Sequence, residues 1–138
     1  MQFPKAIIFC LICIAIGCKT NQTRNKLKEG RWIYKDTINS IPYQSTGKYS
    51  KGIEKKTWKY YKGDKLEKKE KYKNDICYVT TYFEDGKIAS QGKTRLVTSA
   101  SDTHWYYFGS WNFYDTDGKL IRLKEYENGA LIKDTKIN

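Results

Sequence analysis

Residues 58–66 read Trp-Lys-Tyr-Tyr-Lys-Gly-Asp-Lys-Leu, and this stretch decides the fold. Because successive side chains of a strand point to opposite faces, a Trp-x-aromatic motif places two rings on the same face. Gly63-Asp64 then supplies a tight turn of the kind that joins antiparallel strands. The stretch therefore predicts a β-hairpin that carries aromatic rings on one face.

The same pattern recurs along the chain. Trp-x-aromatic occurs at Trp32, Trp58 and Trp111, and the second and third copies share a continuation in which a Leu, a Tyr and an Asn keep their spacing. The residues of this continuation are Leu66, Tyr72 and Asn74 in one copy, and Leu120, Tyr126 and Asn128 in the other. A divergent copy covers residues 79–88. An ordered series of this kind predicts repeats that are stable only when consecutive units stack.

Two-residue turns separate the copies, and they suit an antiparallel meander. Asp85-Gly86, Asp117-Gly118 and Asn128-Gly129 are strong hairpin signals, because a type I′ turn needs positive φ at both central positions. We therefore predict an all-β fold, an antiparallel meander of hairpin repeats forming an elongated, twisted sheet. The predicted strands cover residues 30–36, 41–49, 55–62, 65–73, 76–84, 87–97, 105–115, 119–127 and 130–136. Trp58 and Trp111 are the predicted core residues, since burial of a large aromatic side chain contributes roughly 1.5–3 kcal/mol.

This repeat resembles the bacterial MORN-type repeat, in the variant found in YwqK-family antitoxin-like proteins. The matching residues are Gly30, Trp32, Trp58, Tyr61, Leu66, Tyr72, Asn74, Gly109, Trp111, Tyr114, Gly118, Leu120, Tyr126, Asn128 and Gly129. Two positions depart from the pattern, because Thr57 stands where glycine usually precedes the tryptophan and Asp75 replaces the turn glycine. The resemblance spans roughly residues 29–133 and implies a repeat sheet with an interaction role and no catalytic residue.

The N-terminus has the pattern of a secretory signal. Lys5 precedes an uncharged apolar run over residues 6–17, which is shorter than the ~20 residues that a membrane-spanning helix needs. Ala15-Ile16-Gly17-Cys18 resembles the lipobox of bacterial lipoproteins, with Ala15 in place of the usual leucine. The resemblance implies cleavage before Cys18 and lipidation of its thiol. We predict a signal peptide over residues 1–17, a lipid-anchored flexible tether over 18–28 and a MORN-like β-repeat domain over 29–138.

Cysteine usage and charge then limit the possible partners. Without residues 1–17, only Cys77 remains besides the lipid site, so the domain has no intramolecular disulfide, and the strand-like context of Cys77 predicts a buried, inert thiol. The net charge of +11 falls to +10 if Lys5 is removed with the signal. In an envelope protein this charge suits lipopolysaccharide, anionic lipid head groups or acidic polymers rather than nucleic acid. Alternatively, the lysines interspersed with glutamates form a solvated strand face.

The sequence offers little for catalysis. His104 is the only histidine, so a His-rich metal site is impossible, and a nucleophilic pair with Cys77 would need chance proximity. Asp115-Thr116-Asp117-Gly118 has the start of a calcium loop without its later ligands, and a hairpin turn explains it. We predict no enzymatic activity, no metal and no cofactor.

Binding is the better-supported function. Trp105-Tyr106-Tyr107-Phe108 places four rings in a row, which cannot all be buried on a one-sided sheet, and Lys59 and Lys62 flank Tyr60 and Tyr61. We take these six residues as the candidate binding surface, although tyrosines packed inward with lysines pointing outward would also explain the second group. The prediction is a lipid-anchored envelope protein that acts as a non-enzymatic interaction module. It is expected at the outer membrane of a Gram-negative bacterium, on the periplasmic face or the surface. The alternatives are an immunity protein that neutralises a toxin, and a binder of anionic glycans or lipopolysaccharide.

Overall fold

A computed structural model describes residues 19–138, and over this range the chain forms one open antiparallel sheet. Its ten strands pair in chain order, so every strand lies beside its sequence neighbours, and no helix interrupts the described residues. The strands are β1 (Gln22–Arg24), β2 (Leu27–Ile38), β3 (Ile41–Ser50), β4 (Ile53–Lys62), β5 (Lys65–Lys73), β6 (Ile76–Tyr82), β7 (Ile88–Thr98), β8 (Thr103–Tyr114), β9 (Leu120–Glu127) and β10 (Ala130–Lys136). The predicted all-β antiparallel meander is confirmed.

The N-terminal segment differs from its prediction in part. The predicted signal peptide and Cys18 lie outside the described residues. Within the predicted tether, the structure places β1 and the first residues of β2, joined by a turn in which Asn25 and Lys26 both have positive φ. Polar contacts hold this segment: the Asn21 side chain accepts a hydrogen bond from Ile33 N at 2.7 Å and donates to Ile33 O at 3.0 Å. The prediction rested on the missing apolar pattern, which gives no signal for contacts of this kind.

The two predicted core tryptophans are buried in matching environments. Trp58 is 2% exposed and Trp111 is 5% exposed, and each indole lies over a glycine of the preceding strand, Gly47 and Gly92 respectively. A Cβ atom on either glycine would lie 2.0 Å from the indole Cδ2, so only glycine leaves room for the ring. Both strand pairs, β3–β4 and β7–β8, are irregular at this glycine. Each indole ring therefore packs directly against the backbone of the neighbouring strand, at a position without a side chain.

The register divides the side chains between two faces. We call the side that carries Trp58 and Trp111 the aromatic face; Cys77 and Val79 lie on it, packed with Trp111. We call the opposite side the basic face, because on β2–β7 it carries ten cationic side chains. These are Arg31, Lys35, Lys48, Lys55, Lys59, Lys69, Lys71, Lys73, Lys93 and Arg95.

Candidate binding surface

The aromatic face is a structural face built around the two tryptophans. Trp58 Nε1 donates to Lys48 O at 3.0 Å, and Trp111 Nε1 donates to Lys93 O at 3.0 Å. The rings around Trp58 are those of Tyr34, Tyr49 and Tyr60, and the rings around Trp111 are those of Tyr107 and Tyr126. Because both indole N–H groups are used by the backbone and the rings cover each other, this face holds the sheet together.

A carboxylate lies among these rings and is fully satisfied. Glu70 accepts hydrogen bonds from Tyr60 Oη at 2.6 Å, Tyr72 Oη at 2.7 Å and Lys68 Nζ at 2.7 Å. Burial favours the protonated acid, but the bonds from Lys68 and the two phenols outweigh it and lower the pKa of Glu70. Burial and the neighbouring carboxylate raise the pKa of both phenols, so they stay protonated as donors. The cluster resembles a structural network more than a general acid or base.

Cys77 and His104 do not form a catalytic pair. Cys77 is buried on the aromatic face, and burial raises the pKa of its thiol to about 12. His104 lies on the opposite face, beside Tyr106. A thiol with so high a pKa is not a nucleophile near neutral pH.

The four consecutive rings of β8 do not form one patch. Trp105 and Tyr107 point to the aromatic face, where Trp105 contacts Tyr72 and Tyr107 contacts Trp111. Tyr106 and Phe108 point to the basic face, and the Phe108 ring lies 4.1 Å from the Arg95 guanidinium. Strand alternation therefore divides these four of the six candidate residues between two faces.

The lysines of the candidate surface are separated as well. Lys59 lies exposed on the basic face, directly opposite Lys69 of β5. Lys62 ends β4 and pairs with Lys65 across the turn. Of the six residues proposed from the sequence, the structure brings Lys59 into an array of other cations and leaves the rest of the set dispersed.

That array consists of like charges placed side by side. Lys48 stands opposite Arg31 on one side and Lys55 on the other, and Lys59 stands opposite Lys69. Like charges directly opposite each other destabilise a sheet. Among the described residues, only Arg95 of the ten cations has a carboxylate within salt-bridge distance, that of Asp75 at 3.8 Å. The basic face therefore keeps an unneutralised positive charge over β2–β7.

One part of this face is concave. Between β2, β3 and β4 lies a groove of about 910 Å³. Its residues are Arg31, Lys35, Asp36, Thr37, Pro42, Tyr43, Gln44, Thr46, Lys59, Tyr61 and Gly63. Three cations and one acid line the groove, so a ligand that lies in it would be surrounded by a net positive charge.

The sequence contains signals for two features that we did not predict, the glycines under the tryptophans and the basic face. Ser-x-Gly-Lys occurs at residues 45–48 and again at 90–93, and these are the two glycines that lie under the tryptophans. Lys69, Lys71 and Lys73 alternate along β5, which places all three on one face. Arg31, Lys48 and Lys55 meet because of the register between strands. No single strand of the sequence predicts that register.

Comparisons of the chain with known proteins found no relative. No protein family, curated protein or solved structure matches the chain. Within residues 19–138, no helix has the length and apolarity to cross a membrane. The same residues contain no group of three or more His, Cys, Asp or Glu side chains placed to hold a metal ion.

Proposed function

We propose that this chain is a lipid-anchored, non-enzymatic binding module of the bacterial envelope, and that its basic face binds an anionic glycan. The observation that carries the proposal is the set of ten cations on the basic face of β2–β7, which have a single carboxylate partner among them. Five of these cations, on β2–β5, stand directly opposite another cation. An anionic partner would relieve the repulsion that this arrangement imposes on the free sheet.

The placement of the acids supports binding over solubility as the reason for the charge. The chain has 15 acidic residues, enough to neutralise the basic face. Instead, Glu70 lies on the aromatic face, Glu84 and Asp85 lie beyond the end of β6, and Asp134 pairs with Arg122 on β9. Among the described residues, Asp36 lines the groove, and only Asp75 lies within salt-bridge distance of a basic-face cation. A merely soluble sheet gains nothing from separating the two signs of charge in this way.

The membrane anchor and the repeat family remain part of the proposal. Cys18 in its lipobox-like context would hold the domain at a membrane whose surroundings are rich in acidic polymers and poor in nucleic acid. The equivalent environments of Trp58 and Trp111 support an internal repeat, and we propose that this repeat is of the MORN type. Labelling of cells with a clickable palmitate tests the anchor. Labelling that is equal in the native chain and in Cys18→Ala would contradict it.

The basic face is tested by capture of lipopolysaccharide at low and high salt. We expect capture to weaken as salt rises, because exposed charges are screened. The variant Lys69→Glu/Lys71→Glu/Lys73→Glu should reduce capture strongly. Its control, Lys26→Glu/Lys119→Glu/Lys136→Glu, changes the same net charge away from that face and should retain most of it. Equal losses in the two variants would show that net charge alone is responsible.

A toxin-neutralising role is the second candidate, and the open edge of the sheet favours it. Strand β10 has no partner on its outer side among the described residues, and Leu131 and Ile132 are exposed there. Such an edge can accept an added strand from a protein partner. If a toxin is encoded beside this chain, co-expression should protect cells and Ile132→Glu should abolish protection. Protection that survives this substitution would contradict edge binding.

A further inference from the structure

We propose that the groove between β2, β3 and β4 is a saccharide subsite that takes a phosphorylated sugar unit. This inference rests on the proposed function and makes it specific, because it assigns recognition to one concave part of the basic face. The groove volume of about 910 Å³ is within the range of small-ligand sites and exceeds what a single phosphate requires.

The cations are placed at the ends and the side of the groove. Arg31 and Lys35 lie on the same face of β2, four residues apart, which separates their Cα atoms by about 13 Å. Lys59 of β4 lies directly opposite Thr46 of β3. A guanidinium binds phosphate through two parallel hydrogen bonds, whereas lysine acts as a point charge. An elongated ligand with an anionic group near one end would meet Arg31 and still reach the other two cations.

The floor of the groove is suited to hydroxyl groups. Gln44 stands between Lys35 and Tyr61 in register, and Thr46 stands beside Lys59. Neither the Gln44 amide nor the Thr46 hydroxyl makes a side-chain hydrogen bond to another residue of the described range, and both are only half-buried. An amide and a hydroxyl can each donate to and accept from a sugar hydroxyl. They are therefore available to a ligand.

An aromatic ring and an acid complete the set. Tyr61 is half-buried beside Gln44, so its ring offers an apolar surface to the C–H groups of a sugar. Asp36 is the single acid lining the groove, and its carboxylate already accepts from Thr37 N at 2.7 Å. Its remaining oxygen can accept from a hydroxyl. The combination of cations, hydroxyl partners and a ring favours a phosphorylated saccharide over a bare phosphate.

The location of the cations distinguishes a saccharide site in the groove from a flat surface that binds lipid head groups. Lys69, Lys71 and Lys73 carry the same charge as the groove cations, but none of them lines the groove. A planar anionic membrane would contact these lysines, of which Lys71 and Lys73 are exposed, as readily as those of the groove. A saccharide would depend on the groove residues.

The experiment measures binding of lactose 1-phosphate, lactose and inorganic phosphate to the full chain in detergent micelles by calorimetry. We expect lactose 1-phosphate to bind at least tenfold more tightly than either of the others. Arg31→Gln/Lys35→Gln/Lys59→Gln should weaken that binding on the order of tenfold or more, since charged hydrogen bonds are lost. The matched variant Lys26→Gln/Lys119→Gln/Lys136→Gln loses the same charge away from the basic face and should change it less than about threefold.

A second variant keeps the charge and tests the saccharide itself. Tyr61→Leu should weaken binding of lactose 1-phosphate several-fold and leave binding of inorganic phosphate unchanged. Near-ultraviolet circular dichroism verifies that each variant retains its tertiary structure. The last measurement uses vesicles that contain lipopolysaccharide. If a glycolipid head group occupies the same groove, lactose 1-phosphate should displace the chain from these vesicles.

The outcomes distinguish the groove from the face. Equal losses in the two triple variants, or inorganic phosphate that binds as tightly as lactose 1-phosphate, would overturn the saccharide subsite. Binding to anionic phospholipid vesicles that ignores the groove substitutions would assign the face to a membrane instead. If lipopolysaccharide is still captured in a salt-dependent way in these cases, the proposed function stands without the groove. A native chain that captures no lipopolysaccharide at any salt concentration and binds no lactose 1-phosphate would overturn both.

Discussion

Two glycines decide where the tryptophans can lie. In a single-layer sheet no second layer covers a large ring, so Trp58 is buried only because Gly47 lets it lie against the backbone of β3. The indole N–H then donates to Lys48 O, the carbonyl of the residue after that glycine. Gly92, Lys93 and Trp111 repeat this arrangement. The resulting ring burial compensates for the missing second layer.

Gly47→Ala should therefore destabilise the sheet far more than a typical strand substitution. The new Cβ would lie 2.0 Å from the Trp58 ring, which must leave its position together with its hydrogen bond. We expect a loss of about 2–4 kcal/mol in the free energy of unfolding, measured by urea denaturation. Ser45→Ala, on the same strand and face, is the control and should change it by less than about 1 kcal/mol. Similar effects of the two substitutions would contradict the close approach.

Glu70→Gln should remove part of the acid sensitivity of folding. Because the folded-state pKa of Glu70 lies below its ordinary value of 4.5, the unfolded chain binds the proton more readily. The stabilisation is therefore complete well above pH 4.5 and is lost as the pH falls through the folded-state pKa. At pH 7 we expect the variant to be about 2 kcal/mol less stable than the native chain.

This difference should shrink as the pH is lowered below 4.5, because the native carboxylate then becomes protonated. Thermal denaturation of both chains between acidic and neutral pH measures it. Glu84→Gln is the control, since the Glu84 side chain is 80% exposed and its pair with Lys65 is long at 3.4 Å. A difference that stays constant over the whole pH range would contradict the role of the charge.

At the level of elements, the nine strands expected from turn signals and ring alternation all form. The reason is that each hairpin is a local feature, because the turn fixes the register of its two strands. Asn128-Gly129 has positive φ at both positions, as a type I′ turn requires. The same prediction was wrong for Asp85-Gly86 and Asp117-Gly118, where only the glycine has positive φ and its N–H donates to the carbonyl three residues earlier.

The strand that was not predicted, β1, lacks an apolar pattern. It depends on the Asn21 side chain and on the indole N–H of Trp32, which donates to Gln22 O. The binding surface could be predicted only in part, because strand alternation separates residues 105–108 and cross-strand register brings distant cations together.

The turn between β2 and β3 provides a test of this local control. Asn39 and Ser40 have φ values of 49° and 63°, which is the conformation of a type I′ turn. Asparagine tolerates it, whereas serine is strained there. Ser40→Gly should therefore raise the free energy of unfolding by about 0.5–1 kcal/mol in urea denaturation. Thr37→Gly, inside β2, should lower it by a similar amount, and a gain of stability in both variants would contradict the turn assignment.

For the whole molecule, the meander makes the sheet nearly one-dimensional. Each strand pairs with its sequence neighbours alone among the described strands, and the two tryptophan clusters lie at different places along that order. The Trp58 cluster draws its rings from β2, β3 and β4, and the Trp111 cluster is built on β5, β6, β8 and β9. In such architectures stability is close to a sum of local units and their interfaces.

Loss of one tryptophan should therefore loosen one part of the sheet more than the other. In Trp111→Ala, amides of β7, β8 and β9 should lose protection from hydrogen exchange, whereas amides of β2 and β3 should retain most of theirs. Trp58→Ala, the matched substitution, should show the opposite distribution. Exchange measured by mass spectrometry on peptides from each strand separates the two patterns. Equal loss of protection throughout the sheet in both variants would contradict this independence. It would show that β5 and β6 couple the two clusters, so that the ten strands unfold as one cooperative unit.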